Sequence, residues 1–533
     1  MLTNYYRLIT YTMSSKIFSA AIVGLDAELV EVEADISPGL GHFTIVGLPD
    51  TAVQESRERV RAAIKNSGLP FPRTRVTVNL APADLKKEGP AYDLPIAISV
   101  LASSKDLCLF PKNISPDSGN KNSCQDALFA GELALSGALR PINGILAIAS
   151  FARIKGIKTL YLPELNAPEA SLIEDIEIIP VKNLTELVNH LTKIQSISPF
   201  IKSESLNPDS FDSFEENLDM AFVKGQEYVK RALEIVAAGG HNIAMTGPPG
   251  SGKTLLSKTL PTILPPLSID EALEVTRIYS VAGLLPTGES LIRKRPFRSP
   301  HHTASGVSLV GGGAWPRPGE ISLAHRGVLF LDELPEFSRA VLESLRQPLE
   351  DGIVSISRAA GTLQFPAKFI LVAARNPCQC GYHNDPEKFC SCSPSAILRY
   401  QKRISGPLLD RIDLHIEVPR LKFEKLAEQK QAENSEEIKK RVIGARKIQE
   451  ARYKNFRIIT NTELSSKMIK EFCEVDPQSQ EFLKNAVTQM RLSARAYYRV
   501  LKISRTIADL AEEEKISLSH IAEALQYRAK GEE

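Results

Sequence analysis

Little in the bulk composition of this 533-residue chain points to a partner. The formal net charge is only +2, from 65 Lys and Arg against 63 Asp and Glu, so no global charge argues for a polyanionic ligand; a nucleic-acid reading has to rest on local patches. Long hydrophobic runs are missing as well. The strongest apolar stretch, Leu94 to Ala102, is about half of what a membrane-spanning helix needs. The amino terminus has no charged start, apolar centre and small-residue cleavage site of a secretory signal. These absences predict a cytoplasmic protein. Cysteine is sparse, seven in all, and tryptophan occurs once. A hydrophobic fraction of 43% and a charged fraction of 24% are ordinary for a globular chain, whose length allows about three or four domains.

Against that plain background one segment stands out. Gly247 to Thr254 read GPPGSGKT and follow an apolar run, Asn242 to Thr246, that predicts a buried strand. Gly247, Gly250 and Gly252 let backbone N–H groups turn around a phosphate, with Pro248, Pro249 and Ser251 completing the loop. Lys253 reaches the β and γ oxygens, and the Thr254 hydroxyl is placed to ligate Mg²⁺. A helix from about Thr254 to Leu260 points its positive end at the same anion. This is the phosphate cradle of a P-loop NTPase.

About eighty residues on, the apolar run Gly327 to Leu331 ends in Asp332 and Glu333. Two acids at a strand tip are often only a solvated turn; downstream of a phosphate loop they read as an Mg²⁺ ligand and a base for the attacking water. A third apolar run, Lys368 to Ala374, leads to Arg375 and Asn376. Asn376 is placed to hydrogen-bond the water beside the γ-phosphate, the alternative being a turn residue ahead of Pro377. Three strand tips then converge where open α/β sheets hold ligands.

Five blocks organise the chain. Residues 1–12 are atypical in composition, and Met13 precedes the first orderly strand pattern, so this stretch is expected to be a mis-assigned start or disordered. Residues 13–194 alternate short β-type runs with helical ones such as Gln54 to Asn66, an α/β domain. Residues 195–218, rich in Ser, Pro and acid, read as a linker, and Pro111 to Ser123 as a surface loop. Residues 219–420 hold the NTPase core, and 421–533 are charged and helix-periodic, a helical lid.

Four of the seven cysteines, Cys378, Cys380, Cys390 and Cys392, form two C-x-C pairs within fifteen residues. That set suits a tetrahedral Zn²⁺. C-x-C is tighter than the usual spacing, and a redox pair or reduced thiols are the other readings. His383 is an alternative ligand. Cys108, Cys124 and Cys473 have no partners in sequence.

Taken together, Val223 to Gln226, the phosphate loop, Arg298-Ser-Pro-His-His302, Gly327 to Glu333, Asn376-Pro-Cys378 and Gly406 to Asp413 resemble the ComM/YifB family of magnesium-chelatase-like AAA+ ATPases, over nearly the whole chain. The resemblance implies a core similar to the magnesium chelatase motor subunit and the MCM helicases, assembled as a homohexameric ring. It also implies ATP and Mg²⁺ as ligands. The best-studied members drive branch migration of DNA junctions in natural transformation. Arg411 matches the family's arginine finger, which typically supplies ~10³ to 10⁵ in rate from a neighbouring subunit. Arg495 matches the second sensor. Arg491, Arg495, Arg499 and Lys502 share one helix face, and for all but Arg495 a solvated basic stripe is the plainer reading.

In the first domain, Lys87 to Asp93 and Gly137 to Gly144 resemble two segments of the Lon protease domain. The positions of the nucleophile and its lysine base are held here by Ala91 and Leu146, so the protease fold is expected without proteolysis. Tyr92 and Ser103 are the remaining side chains there with chemistry to offer. Between the phosphate loop and the Asp332-Glu333 strand tip, Arg293 to Thr303, Gly311 to Gly313 and Trp315 resemble the helix-2 insert of the MCM-like class, which makes Arg295, Arg298, His301 and His302 candidate DNA contacts. Packing at a subunit interface is the other reading of the two histidines. Arg358, on an apparent hairpin, is a fifth candidate. Two functions of different class follow: a DNA motor moving branched junctions, or a chelatase-type ATPase remodelling a partner protein.

Overall fold

Period-two burial builds the first sheet. In the strand Asp26–Ser37, Val30, Val32 and Ala34 face inward at 0–1% exposure, and in Arg75–Ala81 so do Val76, Val78 and Leu80; the residues between them look outward. The computed structural model describes residues 15–104, 109, 126–201, 218–286, 288–313, 316–358, 361–420, 433–456, 458–490 and 492–528. These fall into two units, one formed by residues 1–207 with 276–292, the other by 208–275 with 293–533. Residues 1–12, the loop Pro111 to Ser123, most of the linker, Trp315, Arg491, Cys108 and Cys124 lie outside the described residues.

The first unit carries a seven-stranded sheet in the order Phe43–Val46, Arg75–Ala81, Asp26–Ser37, Ser15–Val23, Ala127–Phe129, Thr159–Pro163, Glu177–Val181. Its centre is antiparallel and its flanks parallel. The helix Thr51–Asn66 starts where the Asp50 carboxylate accepts from the Val53 amide at 2.7 Å, an N-cap that satisfies an otherwise orphaned donor. Its buried stripe is Val53, Val60, Ala63 and Ile64. The helix Asp93–Ser103 is buried along almost its whole length, and its charged first residue is matched: Asp93 accepts from Arg59 at 2.8 and 3.1 Å and from the Leu133 amide at 3.2 Å.

The residues standing where a protease would hold its dyad are inert here. Ala91 lies in the turn Pro90–Tyr92, and Leu146, buried in the helix Ile145–Ile154, donates its amide to Glu169 at 3.2 Å. Tyr92 is buried, which raises its phenol well above the ordinary range. Ser103 donates to the Ala34 and Ser99 carbonyls, each at 3.0 Å. Both side chains serve the packing.

In the second unit, strands are apolar on both faces, as parallel strands covered by helices must be: Val328 to Leu331 are at most 1% exposed. The sheet order is Phe297–Arg298, Val328–Leu331, Ile370–Arg375, Ile243–Thr246, Leu414–Glu417, all parallel. The helix Glu227–Gly239 ends at Gly240 in the left-handed region, φ 71°. Carboxy-terminal helices Ser435–Tyr453, Ala494–Leu510 and Leu518–Gln526 share its core, with Val442, Val500, Ile503, Ile507 and Ile521 packed in one cluster with Leu233, Val236 and Ile243. Among the described residues no helix is long and apolar enough to cross a membrane.

Candidate functional site

Strand register brings the motifs to one edge of the five-stranded sheet. Thr246 lies opposite Arg375 and Glu417, and Leu331 opposite Ala373, so Gly247, Asp332 and Asn376 all leave the sheet at its carboxyl end. The loop from Gly247 bends against backbone: a Cβ at Gly247 would fall 2.3 Å from the Val418 carbonyl oxygen, which only glycine avoids. Gly250 and Gly252 have φ of 78° and 89°. Gln226 clamps the loop from outside, donating to the Ser251 carbonyl at 2.9 Å and the Pro419 carbonyl at 3.4 Å.

Lys253 opens the helix Lys253–Ile263 and folds back into the loop. Its ammonium donates to the Gly247 and Pro248 carbonyls at 2.8 and 2.9 Å and lies 3.4 Å from Asn376 Oδ1. Burial lowers its pKa, against the nearby charges of Asp332 and Glu333. The Thr254 hydroxyl donates to Asp332 Oδ2 at 3.0 Å. A hydroxyl and a carboxylate so placed are the hard oxygen donors that a Mg²⁺ with nucleotide phosphates takes, so these two residues fit that ion.

Glu333 adopts the left-handed region, φ 51°, with its amide on Asp332 Oδ1 at 2.9 Å; strain of this kind concentrates at working sites. Its carboxylate has a neighbour that sequence spacing did not suggest. His302 Nδ1 lies 3.5 Å from Glu333 Oε2, and the His302 ring sits 4.1 Å from that of His301 and edge-on to Phe337 at 6.4 Å. His301 Nδ1 pairs with the Thr303 hydroxyl at 2.8 Å.

The two arginines read as finger and sensor share a carboxylate. Glu350 Oε1 lies 2.6 Å from Arg411 Nη2 and 3.1 Å from Arg495 Nη2, and the hydrogen bond from Arg411 lowers the Glu350 pKa. Arg411 is 9% exposed and also donates to the Pro407 carbonyl at 2.7 Å, whereas Arg495 is 57% exposed. Further along the same helix, Arg499 reaches Asp413 at 3.4 Å and Lys502 donates to the Thr462 carbonyl at 2.7 Å. Those two are tied into the fold and do not form a free basic stripe.

Arg295 also departs from the expectation of a DNA-gripping cation. Its guanidinium is turned inward, donating to the Pro265 carbonyl at 2.6 Å, the Arg326 carbonyl at 2.7 Å and Glu271 at 3.0 Å. Burial lowers its pKa, with Glu271 acting in the opposite sense. These donors are occupied within the fold, so Arg295 is a structural residue. Arg298 forms a two-point pair with Glu320 at 2.6 and 2.7 Å. Arg358 ends one strand of the hairpin Ile353–Arg358 and Gly361–Pro366, opposite Gly361.

The four cysteines come together. Their sulfurs all lie within 4.8 Å of one another, with Cys378 3.3 Å from Cys380 and 3.7 Å from Cys390, and Cys380 3.5 Å from Cys390. A tetrahedral ion with Zn–S bonds of about 2.3 Å places its sulfurs ~3.8 Å apart, so the set fits. His383 is not part of the group. Cys473 is buried in the helical core, where its thiol is pushed up to about 12 by burial.

A parallel sheet with a glycine-rich phosphate loop at its carboxyl edge, an Asp-Glu strand tip and a helical domain packed behind it defines an AAA+ nucleotide-binding core. Family profiles agree along the chain: "Magnesium chelatase, subunit ChlI" matches residues 219–426, "Subunit ChlI of Mg-chelatase" residues 32–166, and "Magnesium chelatase, subunit ChlI C-terminal" residues 432–528. The sequence is 43% identical over 517 residues to competence protein ComM of Haemophilus influenzae, covering 96% of this chain and 97% of that protein. It is 42% identical over 520 residues to YifB of Escherichia coli, 97% of each chain. A fainter similarity, 23% over 201 residues, 36% of this chain and 23% of the other, connects it to Lon protease of Brucella suis. The chain belongs to the ComM/YifB family of magnesium-chelatase-like AAA+ ATPases.

Proposed function

We propose that this protein is a ring-forming motor that hydrolyses ATP to move branched DNA junctions in competence or recombination. The observation carrying the ATPase half is the meeting of Lys253, Thr254, Asp332, Glu333 and Asn376 at one sheet edge, with the Thr254 hydroxyl 3.0 Å from Asp332. Lys253 takes the β and γ phosphate oxygens in place of its own loop carbonyls, Thr254 and Asp332 hold Mg²⁺, Glu333 accepts the proton of the attacking water and Asn376 orients it. When bound, Mg²⁺ neutralises charge developing on the phosphates. Arg411 serves the site of the adjoining subunit in a ring of six, and Arg495 contacts nucleotide from its own lid.

The DNA half is supported by similarity to competence protein ComM along 96% of the chain and by the arginine that ends the hairpin strand, Arg358. His301, His302 and Arg298 stand as further candidate contacts. The four cysteines hold a structural Zn²⁺. Dissociation of a synthetic four-way DNA junction by the wild type and by Glu333→Gln tests the reading. Junctions resolved only by the wild type and only with ATP are expected. ATP hydrolysis with no junction activity would favour instead a chelatase-type ATPase acting on a partner protein.

A further inference from the structure

Residues 376–393 contain neither helix nor strand, yet this irregular stretch begins with Asn376, whose carbonyl oxygen is 3.4 Å from Lys253 Nζ. Such a stretch has no ladder of backbone hydrogen bonds to set its course, so its shape depends on side-chain contacts. Those contacts lead back to the phosphate loop. Cys378 is fully buried two residues after Asn376. The Gly381 amide donates to the Cys378 carbonyl at 3.0 Å, and Gly381 has φ of 85°. A Cβ there would lie 2.5 Å from Pro249 Cδ, 2.7 Å from Pro249 Cγ and 3.9 Å from Asn376 Cγ. The turn closed by the first C-x-C pair is therefore pressed onto Pro249 and Asn376 at once. On its far side, Tyr382 lies beneath Lys388 at 4.9 Å and Arg420 at 6.0 Å, Arg420 pairs with Glu387 at 3.3 Å, and Gln401 donates to the Pro377 carbonyl at 3.4 Å.

We infer that Cys378, Cys380, Cys390 and Cys392, closed on one thiophilic divalent cation, act as positioning residues for ATP hydrolysis: they hold the turn that sets Asn376 beside Lys253 and seats Gly381 against Pro249. The inference rests on the reading of the cluster as a zinc site and deepens it. The thiolates act through Asn376 and the phosphate loop and not on the reacting atoms. Metal occupancy then governs turnover more than nucleotide affinity, because the loop carbonyls and Lys253 belong to the strand-helix junction, whereas Asn376 is continuous with the cysteine turn.

The test uses the full chain and inductively coupled plasma mass spectrometry for metal, a fluorescent ATP analogue for binding, and steady-state hydrolysis. The wild type is expected to carry one zinc per chain, and Co²⁺ exchanged into it to show the d–d absorption of a tetrathiolate complex. Cys390→Ser is expected to lose the metal and to fall about 10- to 100-fold in kcat, as a displacement of around 1 Å at a reacting centre does, with ATP affinity changed about threefold or less. Gly381→Ala is expected to keep the metal and still lose turnover, since its methyl meets Pro249. In an Asn376→Ala background, Cys390→Ser should add little further loss, a non-additivity that a general loss of stability does not produce. A wild type without metal after expression in zinc-supplied reducing medium would refute the zinc reading. Metal lost from Cys390→Ser with kcat unchanged would overturn the positioning role and leave the zinc reading standing. If Cys390→Ser does not fold, stripping zinc from folded wild type with a chelator in excess Mg²⁺, then restoring it, decides between the same two outcomes.

Discussion

Arg411 is held 2.6 Å from Glu350, and the same carboxylate oxygen lies 3.1 Å from Arg495. One acid thus neutralises both cations that the proposed mechanism sends to nucleotide. Because Arg411 is nearly buried and its Nε has no hydrogen-bond partner, removing the acid leaves an uncompensated charge. With Glu350 41% exposed, Glu350→Gln is expected to destabilise the chain by about 1 kcal/mol or less, and Glu350→Gln with Arg411→Met to recover much of that loss. Denaturant midpoints of the two variants check this.

The Thr254 hydroxyl meets Asp332 at 3.0 Å, so on the proposed mechanism both should matter through Mg²⁺. Thr254→Ala is expected to lower ATP turnover about 100-fold, several kcal/mol of charge stabilisation, and to raise the Mg²⁺ concentration needed for half-maximal rate. Titrating Mg²⁺ at saturating ATP measures it. A variant with wild-type Mg²⁺ dependence would show that Thr254 is not a ligand.

Arg295 and Arg358 were alike as sequence candidates, and Arg295 is folded onto carbonyls and Glu271. Arg295→Met is expected to lower thermal stability, because Glu271 and two carbonyls lose their donor, while the salt dependence of DNA binding stays as in the wild type. Arg358→Ala is expected to leave stability unchanged and to reduce the slope of log affinity against log salt by about 1. Fluorescence anisotropy at several salt concentrations separates the two.

His415, in the strand Leu414–Glu417, is lowered to about 4 by burial, with Arg528 and Arg375 adding to the effect. An unfolded histidine titrates near ~6.5. The folded value is depressed, so the neutral ring's contribution is complete above about pH 6.5 and is lost as pH falls toward 4. Unfolding free energies at pH 7.5 and 5 should differ more in the wild type than in His415→Gln.

What the sequence revealed and what it withheld divide along physical lines. The phosphate loop, Asp332 with Glu333, and Asn376 each sit at the end of a short apolar run, so local pattern was enough to place them on strand tips. The four cysteines were visible for the same reason, since their fifteen residues close on themselves. Glu350 with Arg411, and His302 with Glu333, are pairs made by chain folding, and nothing near either residue announces the other. Arg295 misled because a cation beside an aromatic in a glycine-containing segment looks the same whether it faces water or is folded onto carbonyls. Residues 276–292 lie within the 219–426 span of the magnesium chelatase match and still cluster in space with the first unit, an association that periodicity does not reveal.

The segment 276–292 constrains where the molecule can be cut. Arg277 donates to the Leu25 carbonyl at 2.7 Å and pairs with Asp26 at 2.5 Å, Ser280 donates to Glu169, and the Gly144 amide donates to the Ser280 carbonyl at 3.0 Å. A truncation beginning near residue 218 keeps the segment and discards these partners, leaving Arg277 and Ser280 as stranded donors. Conversely, a fragment ending near residue 201 loses the acceptor for Gly144 and the partner of a buried glutamate. The two halves are interleaved in the gene, so neither can be exchanged as a cassette with a single cut.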